Sequence, residues 1–359
     1  MQAYSIARKD LQYIADAAQS DLLRLKNAHV FLTGCTGFLG KWIIEALLWA
    51  GESMELDLRL SVLTRSAARV RADMPHWPAH AGLSLIEGEI TSWRPVEAQG
   101  ISHIIHGANC CNTGKADWAL CHMDIAVEGT RNMLALAARE HCENLLLLSS
   151  GAVYGIRQGE ATPPYEEQEN GPDAYLREPN VYAVCKYFEE MYTAAYGQKY
   201  GIRVPIARLF TFMGLHMPLH RRQALGSFLN DVLHGKDITI QGDGTAVRSY
   251  MYAADMVVCI LALLIRGEHG RPYNIGSNEP VSVKVLAEKI VTASGKKIGV
   301  KVLGEAVPGN APQVYVPNIN SMTQLLHNWG RTSIEKHICY IMEEQNKFDC
   351  YHGIDNNKI

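Results

Sequence analysis

The chain has 359 residues, 47% of them hydrophobic and 20% charged, and carries a formal net charge of -3. That length accommodates one large α/β unit with a smaller companion and a substantial buried core. The balance is that of an ordinary globular protein, and without a basic excess neither nucleic acid nor a membrane surface is expected as a partner.

Nine cysteines are scattered without a Cys-x-x-Cys pair, and the adjacent Cys110 and Cys111 are badly placed for a bridge or a zinc site. No metal is expected, and the dispersed thiols suit a reducing compartment. Arg8, Lys9, Asp10, Asp16 and Asp21 leave no apolar core of signal-peptide type near the N-terminus. The longest apolar run, Met256 to Ile265, falls short of the ~20 residues that cross a bilayer. A cytoplasmic location is therefore expected.

In chain order, Leu11, Ile14, Ala18 and Leu22 recur at helical spacing and predict a helical extension over 1–27, with Asp10 as N-cap. Val30, Phe31 and Leu32 read as a buried strand, and Phe38, Leu39, Ile43, Ile44, Leu47 and Leu48 as one face of a helix. Between them stand Gly34, Gly37 and Gly40. Three glycines so spaced, after a strand and opening a helix, predict a dinucleotide turn. Gly34 allows the tight turn, Gly37 the approach of a pyrophosphate and Gly40 close packing of helix on sheet, while the helix N-terminus offers N–H groups and a positive dipole end.

A second strand over 58–64 ends at Arg65 and Ser66, with Arg69 and Arg71 beyond. An acid at that strand end bonds the ribose 2′-hydroxyl of NAD, whereas an arginine accommodates the 2′-phosphate of NADP. NADP is thus favoured over NAD; the other reading makes these arginines a solvated helix start. A third strand at 83–86 leads to Glu89, and a fourth at 101–106 leads to Ala108. Thr36, Phe38 and Leu39 in the turn, with Arg65, Glu89 and Ala108 at successive strand ends, complete the expected cofactor lining. A helix is predicted to open at 128–130, and the uniformly apolar Leu145 to Leu148 reads as a fifth strand. Strands alternating with helices at this interval imply a doubly wound parallel sheet. Beyond lie a polar, proline-rich loop at 162–179, helices at 181–200, 224–233 and 283–293, strands at 204–209 and 273–275, an apolar helix after Asp255, and a polar tail after Glu344 expected to fray.

The fifth strand runs into Ser149-Ser150-Gly151-Ala152-Val153-Tyr154-Gly155, and Tyr182-Ala183-Val184-Cys185-Lys186 follows. Residues four apart share a helix face, so Tyr182 and Lys186 can point into one cleft. Of sixteen tyrosines, Tyr182 alone has a lysine four residues on. A neighbouring cation favours a phenolate, and a phenol so placed can exchange a proton with an alcohol oxygen while hydride passes to or from nicotinamide. Ser150 would hold the same oxygen.

Residues 33–40, 149–155 and 182–186 resemble the extended short-chain dehydrogenase/reductase family, and within it the nucleotide-sugar epimerase, dehydratase and reductase branch. The stretch Gly242 to Tyr250, Asp255, and Tyr273-Asn274-Ile275-Gly276 are similar to that branch's substrate-region signatures. The resemblance covers residue 28 to about 340. It implies a Rossmann-type doubly wound sheet with a smaller C-terminal α/β substrate-binding domain. The division expected is 1–27 as extension, 28–210 with 250–276 as the cofactor domain, 211–249 with 277–345 as the substrate domain, and 346–359 as tail. It implies Ser150, Tyr182 and Lys186 as the catalytic triad, with Lys186 also at the cofactor. Ser150, Thr211 and Arg248 would meet the substrate, Arg248 at the diphosphate, which its planar fork suits. A homodimer is implied through the helix bearing Tyr182 and the helix after the fourth strand.

Departures narrow the reaction. Related dehydratases place an Asp-Glu pair after the catalytic hydroxyl residue, and related decarboxylases a glutamate; here stand Gly151 and Ala152. Ala126 and Thr211 occupy positions where the resemblance calls for asparagine. What remains is hydride and proton exchange at C4. Arg65 favours a reductase, and the resemblance implies a nucleotide-linked 4-keto-6-deoxyhexose as its substrate, as in surface-polysaccharide precursor synthesis. The alternatives are an NAD-dependent UDP-sugar 4-epimerase and a non-catalytic NADP-binding sensor, and the intact Ser150, Tyr182 and Lys186 argue against the sensor.

Overall fold

The computed structural model describes residues 4–94, 99–110, 117–155, 157–158, 164–168, 180–219, 223–307, 309, 311–327 and 333–351. Most of the 162–179 loop predicted from sequence lies outside them.

Seven parallel strands form the main sheet: β1 (His29–Thr33), β2 (Arg59–Thr64), β3 (Leu83–Glu87), β4 (His103–His106), β5 (Asn144–Ser150), β7 (Ile206–Leu209) and β12 (Pro272–Ile275). Their order is β12-β7-β5-β4-β1-β2-β3. The chain winds outward one way from β1 and then the other from β4, so a crevice opens between their carboxyl ends. Val30 pairs with Leu60 on one side and His103 on the other, and β5 is buried along its whole length. That double burial explains its unbroken leucine run.

Helices cover both faces. On one side lie α1 (Arg8–Ala17), α2 (Gln19–Leu23), α3 (Phe38–Ser53) and α9 (Ala253–Arg266), with α4 (Ala67–Asp73) following β2. The apolar run in 256–265 is an interior helix, its residues fully or almost fully buried. Among the described residues no helix is long and apolar enough to cross a membrane. The N-terminal extension packs on α3 and α9 as its helical spacing predicts, with Leu11 and Ile14 fully buried. Asp10, however, is not its cap. Ala7 holds that position without a side-chain bond, and the Asp10 carboxylate accepts from Tyr252 (2.9 Å) and Tyr340 (2.8 Å). Glu45, buried on α3, accepts from the Ile6 amide (2.8 Å) and fastens the segment from below.

The other face carries α5 (Trp118–Asp124), α6 (Thr130–Arg139) and α7 (Val181–Tyr200). The helix expected to open at 128–130 begins at Trp118 instead and passes through a π-turn, Ile125–Gly129, into α6. A Cβ on Gly129 would stand 3.2 Å from the Ile90 side chain, so glycine there is a close-packing residue inside a helix.

Downstream come β6 (Arg157–Gln158), β8 (Phe212–Met213), α8 (Ala224–Leu233), β9 (Ile238–Ile240), β10 (Val247–Arg248), β11 (Met251–Tyr252), β13 (Val281–Ser282), α10 (Val283–Ser294), β14 (Val300–Val302), β15 (Gln313–Tyr315), α11 (Asn320–Leu326) and α12 (Ile334–Tyr351). Four short strands make a small mixed sheet, β13-β10-β15-β6. The tail expected to fray after Glu344 is helical as far as Tyr351, and Ile334, Ile338 and Ile341 bury one face of the first half of α12.

Candidate active site

At the β1–β4 crevice, Gly34 has φ +71° and a Cβ there would lie 2.1 Å from the Gly107 carbonyl oxygen. Only glycine lets the two strand ends meet so closely. Gly40 differs from its expected role of packing helix on sheet: its Cβ would strike the Cys35 carbonyl at 2.1 Å, within the turn itself. Gly37 is the open one, with nothing within 4 Å of a Cβ. It also precedes the first residue of α3, whose N-terminus carries no side-chain cap and no acid in its first turn. Such an end, with bare N–H groups and a positive dipole, fits a dinucleotide pyrophosphate. Thr36, Phe38 and Leu39 are half-buried around it, and buried Ala108 follows Gly107 across the crevice. A Gly37→Ala variant is expected to melt at the parent temperature yet bind dinucleotide at least about tenfold more weakly, measured by fluorescence titration. An equal affinity would show that nothing approaches this turn.

Arg65 is exposed immediately beyond β2, and Glu89 is exposed beyond β3. Ser66, grouped with Arg65 in the sequence reading, accepts from the Arg69 amide (3.2 Å) and caps α4, while Glu87 accepts from the Ala67 amide (2.8 Å). The helix start thus engages Ser66 and Glu87, and Arg65 stands outside that cap.

Ser150 ends β5 opposite Leu209 of β7. Its Oγ accepts from the Ala152 amide (3.1 Å), capping a short turn, Gly151–Tyr154. Tyr182 lies in the first turn of α7, where Asn180 accepts from the Ala183 amide (3.3 Å), and its ring tilts against His122 at 5.5 Å. Lys186, one turn on, is buried and donates to the Leu148 carbonyl (3.2 Å) and to Glu189 (2.8 Å). Burial alone would push this ammonium down, but the Glu189 carboxylate, and Tyr182 after it, hold it above the ordinary lysine value. Burial also pushes the Glu189 carboxyl up. The ion pair is the better description, since an ammonium donating to two oxygens at these distances gains more than two neutral groups would. Burial keeps His122 and His106 neutral, His106 pushed down to about 3, with the Lys186 charge adding to both.

Several residues of this centre escape the sequence reading. Tyr315 of β15 brings its hydroxyl to within 2.6 Å of where a Gly151 Cβ would stand and lies beside Tyr182. Glu190 accepts from Ser149 (2.5 Å) and from Arg208 (2.7 Å), whose guanidinium also donates to the Tyr154 hydroxyl (2.9 Å). Tyr154 in turn donates to Asn274 (2.7 Å), so a buried polar chain ties β5, α7, β7 and β12 together beneath Ser150. The spacing of Glu189 from Lys186 along one helix was a readable signal. Tyr315 had none, because only folding brings it to Gly151.

Arg248 is half-buried and donates to the Val247 carbonyl (2.8 Å) and the Gln313 carbonyl (3.2 Å), with its guanidinium 5.9 Å above the Tyr315 ring. Thr211 is half-buried just past β7, and its carbonyl accepts from the Met251 amide (3.0 Å). Arg248 and Tyr315 are register partners, as are Val247 and Val314. Strand alternation puts the two pairs on opposite faces. A cleft of about 570 Å³ lined by Val247, Val314 and Lys284 therefore lies on the face away from Ser150.

Residues 30–276 match the model of the NAD dependent epimerase/dehydratase family. The chain is 27% identical over 313 residues to UDP-glucuronic acid decarboxylase 5 of Arabidopsis thaliana, covering 84% of each chain. It is similar in fold to the epimerase Mth375 of Methanothermobacter thermautotrophicus (TM-score 0.77, 18% identity, 94% of this chain and 98% of that one). It is likewise similar to the UDP-glucuronic acid 4-epimerase of Bacillus cereus, solved with UDP-glucuronic acid and NAD (TM-score 0.73, 20% identity, 89% and 99% covered). With the glycine turn and the parallel sheet in place, this chain belongs to the NAD dependent epimerase/dehydratase family.

Proposed function

We propose that the chain is an NAD(P)-dependent oxidoreductase acting at C4 of a nucleotide-diphosphate sugar, and that it reduces a nucleotide-linked 4-keto-6-deoxyhexose. One observation carries this reading. A Cβ at Gly151 would lie 2.6 Å from the Tyr315 hydroxyl and 2.7 Å from the Phe210 ring, so the position after Ser150 has no room for an acidic side chain. Glu189 and Glu190 on α7 are engaged by Lys186 and Arg208. Loss of water or of carbon dioxide is thus poorly equipped, and exchange at one carbon is well equipped.

Bound nicotinamide supplies hydride chemistry. Tyr182 gives its proton to the C4 oxygen, Ser150 holds that oxygen, and Lys186 stands one helical turn behind Tyr182. Arg248 and Thr211 are assigned to the nucleotide-sugar, with 211–249 and 277–345 as substrate domain and the 28–210 and 250–276 segments as cofactor domain. Similarity to a UDP-glucuronic acid decarboxylase supports the substrate class.

Arg65 favours NADP. Titration with NADPH and NADH is expected to show tighter, exchangeable NADPH binding that Arg65→Ala weakens about tenfold or more. Tightly retained NAD without NADPH preference would instead favour a 4-epimerase, the second reading, which the likeness to an epimerase solved with NAD supports. A homodimer through α5 and α7 is also proposed: Leu120, Met123, Val184 and Met191 are exposed on these helices. Light scattering is expected to give twice the chain mass of 39.8 kDa.

A further inference from the structure

We propose that the segment before α1 is a working part of the substrate side of the site, in which Ser5, seated on Glu45 of α3, is a positioning residue that holds the Gly214–Met217 turn through His216. The inference rests on the substrate assignment above, which gives Thr211 and Arg248 to the nucleotide-sugar, and deepens it.

Ser5 lies outside the 30–276 stretch that matches the family model, yet it reaches α3. Its amide and hydroxyl donate to the Glu45 carboxylate (3.0 and 2.8 Å), alongside the Ile6 amide (2.8 Å), the His76 imidazole (2.6 Å) and the Trp77 indole (3.3 Å). Burial alone would push the Glu45 carboxyl up, but His76, and the Ile6 amide after it, hold it below the usual carboxylate range. It is therefore ionised and can only accept, so the single Ser5 hydroxyl proton goes to it. The Ser5 oxygen also stands 2.7 Å from His216 Nε2, and with its own proton engaged it must accept there. The direction is fixed: His216 donates to Ser5, and Ser5 to Glu45.

His216 sits in a turn that needs holding. Its φ of +68° is left-handed, which a residue with a side chain keeps only where its surroundings over-determine it. Other contacts press the turn onto the start of α3: the Leu215 carbonyl accepts from Trp42 Nε1 (2.9 Å), and a Cβ on Gly214 would lie 3.1 Å from Trp42 and 3.4 Å from Phe38, the first residue of α3. Upstream, β8 joins this turn to Thr211 and pairs with β11, which lies just past Arg248. A turn that slips moves the β8–β11 pair and, with it, both residues assigned to the substrate.

Ser5→Ala removes the hydroxyl and leaves the Ser5 and Ile6 amides on Glu45. With the nucleotide-linked 4-keto sugar, KM is expected to rise about fivefold or more, while kcat and the NADPH dissociation constant stay within about twofold of the parent. His216→Asn removes the imidazole but keeps a residue that tolerates left-handed backbone; it is expected to do the same, and the double variant no more than either alone. An unchanged KM in Ser5→Ala, or losses that multiply in the double variant, would overturn the assignment. Hydrogen exchange, read by mass spectrometry on protein without added substrate, separates this from the C4 reading: the amides of 214–217 are expected to exchange about tenfold faster or more in Ser5→Ala. If the parent turns over no nucleotide sugar but this exchange rises, the C4 reading fails and the Ser5–His216 tie stands. Exchange at the parent rate overturns the inference whatever the reaction.

Discussion

Tyr182→Phe is expected to lower kcat by about 10²- to 10⁴-fold, the range that a positioned acid or base contributes. The change removes one oxygen and leaves the ring where it meets His122 at 5.5 Å. Dinucleotide affinity and thermal midpoint should therefore stay at parent values, since the glycine turn and the buried network under Ser150 are untouched. Lys186 cannot take over the proton transfer, because its ammonium is already committed to the Leu148 carbonyl and Glu189. A variant that keeps more than about a tenth of parental kcat would show that another group moves the proton.

Glu190→Ala is expected to cost about 3–5 kcal/mol of stability, the usual result of leaving one member of a buried ion pair without its partner. Arg208 cannot escape by losing its proton: burial works against its charge, but Glu190 and Tyr154 hold its pKa above the ordinary arginine value. The variant also deprives Ser149 of its 2.5 Å acceptor, next to Ser150. Urea unfolding gives the number, and Glu190→Gln should lose less because it still accepts a hydrogen bond. A loss under about 1 kcal/mol for Glu190→Ala would mean that water reaches the guanidinium.

What could be read from the sequence was local. The glycine turn and the Tyr182–Lys186 pair declare themselves through spacings of three and four residues, and the uniform burial of β5 through its leucines. The doubly wound parallel sheet followed from alternation of strands and helices. What could not be read depends on residues brought together from far along the chain. Asp10 looked like a cap because acids often start helices, yet its carboxylate is claimed by Tyr252 and Tyr340, 242 and 330 residues away. Gly40 looked like a helix–sheet contact and serves the turn. Gly151 read only as a missing acid; the fold supplies its reason, since Tyr315 and Phe210 occupy the space that a side chain would need. The Glu190–Arg208 pair joins α7 to β7 and carries no signature in either segment alone.

The most direct test is to supply purified protein with NADPH and a nucleotide-linked 4-keto-6-deoxyhexose and follow NADPH consumption against sugar product. One NADPH oxidised per 4-hydroxy sugar formed, abolished by Tyr182→Phe, is the expected result. No NADPH consumption, together with interconversion of UDP-sugar C4 epimers by protein that has kept NAD through purification, would contradict it.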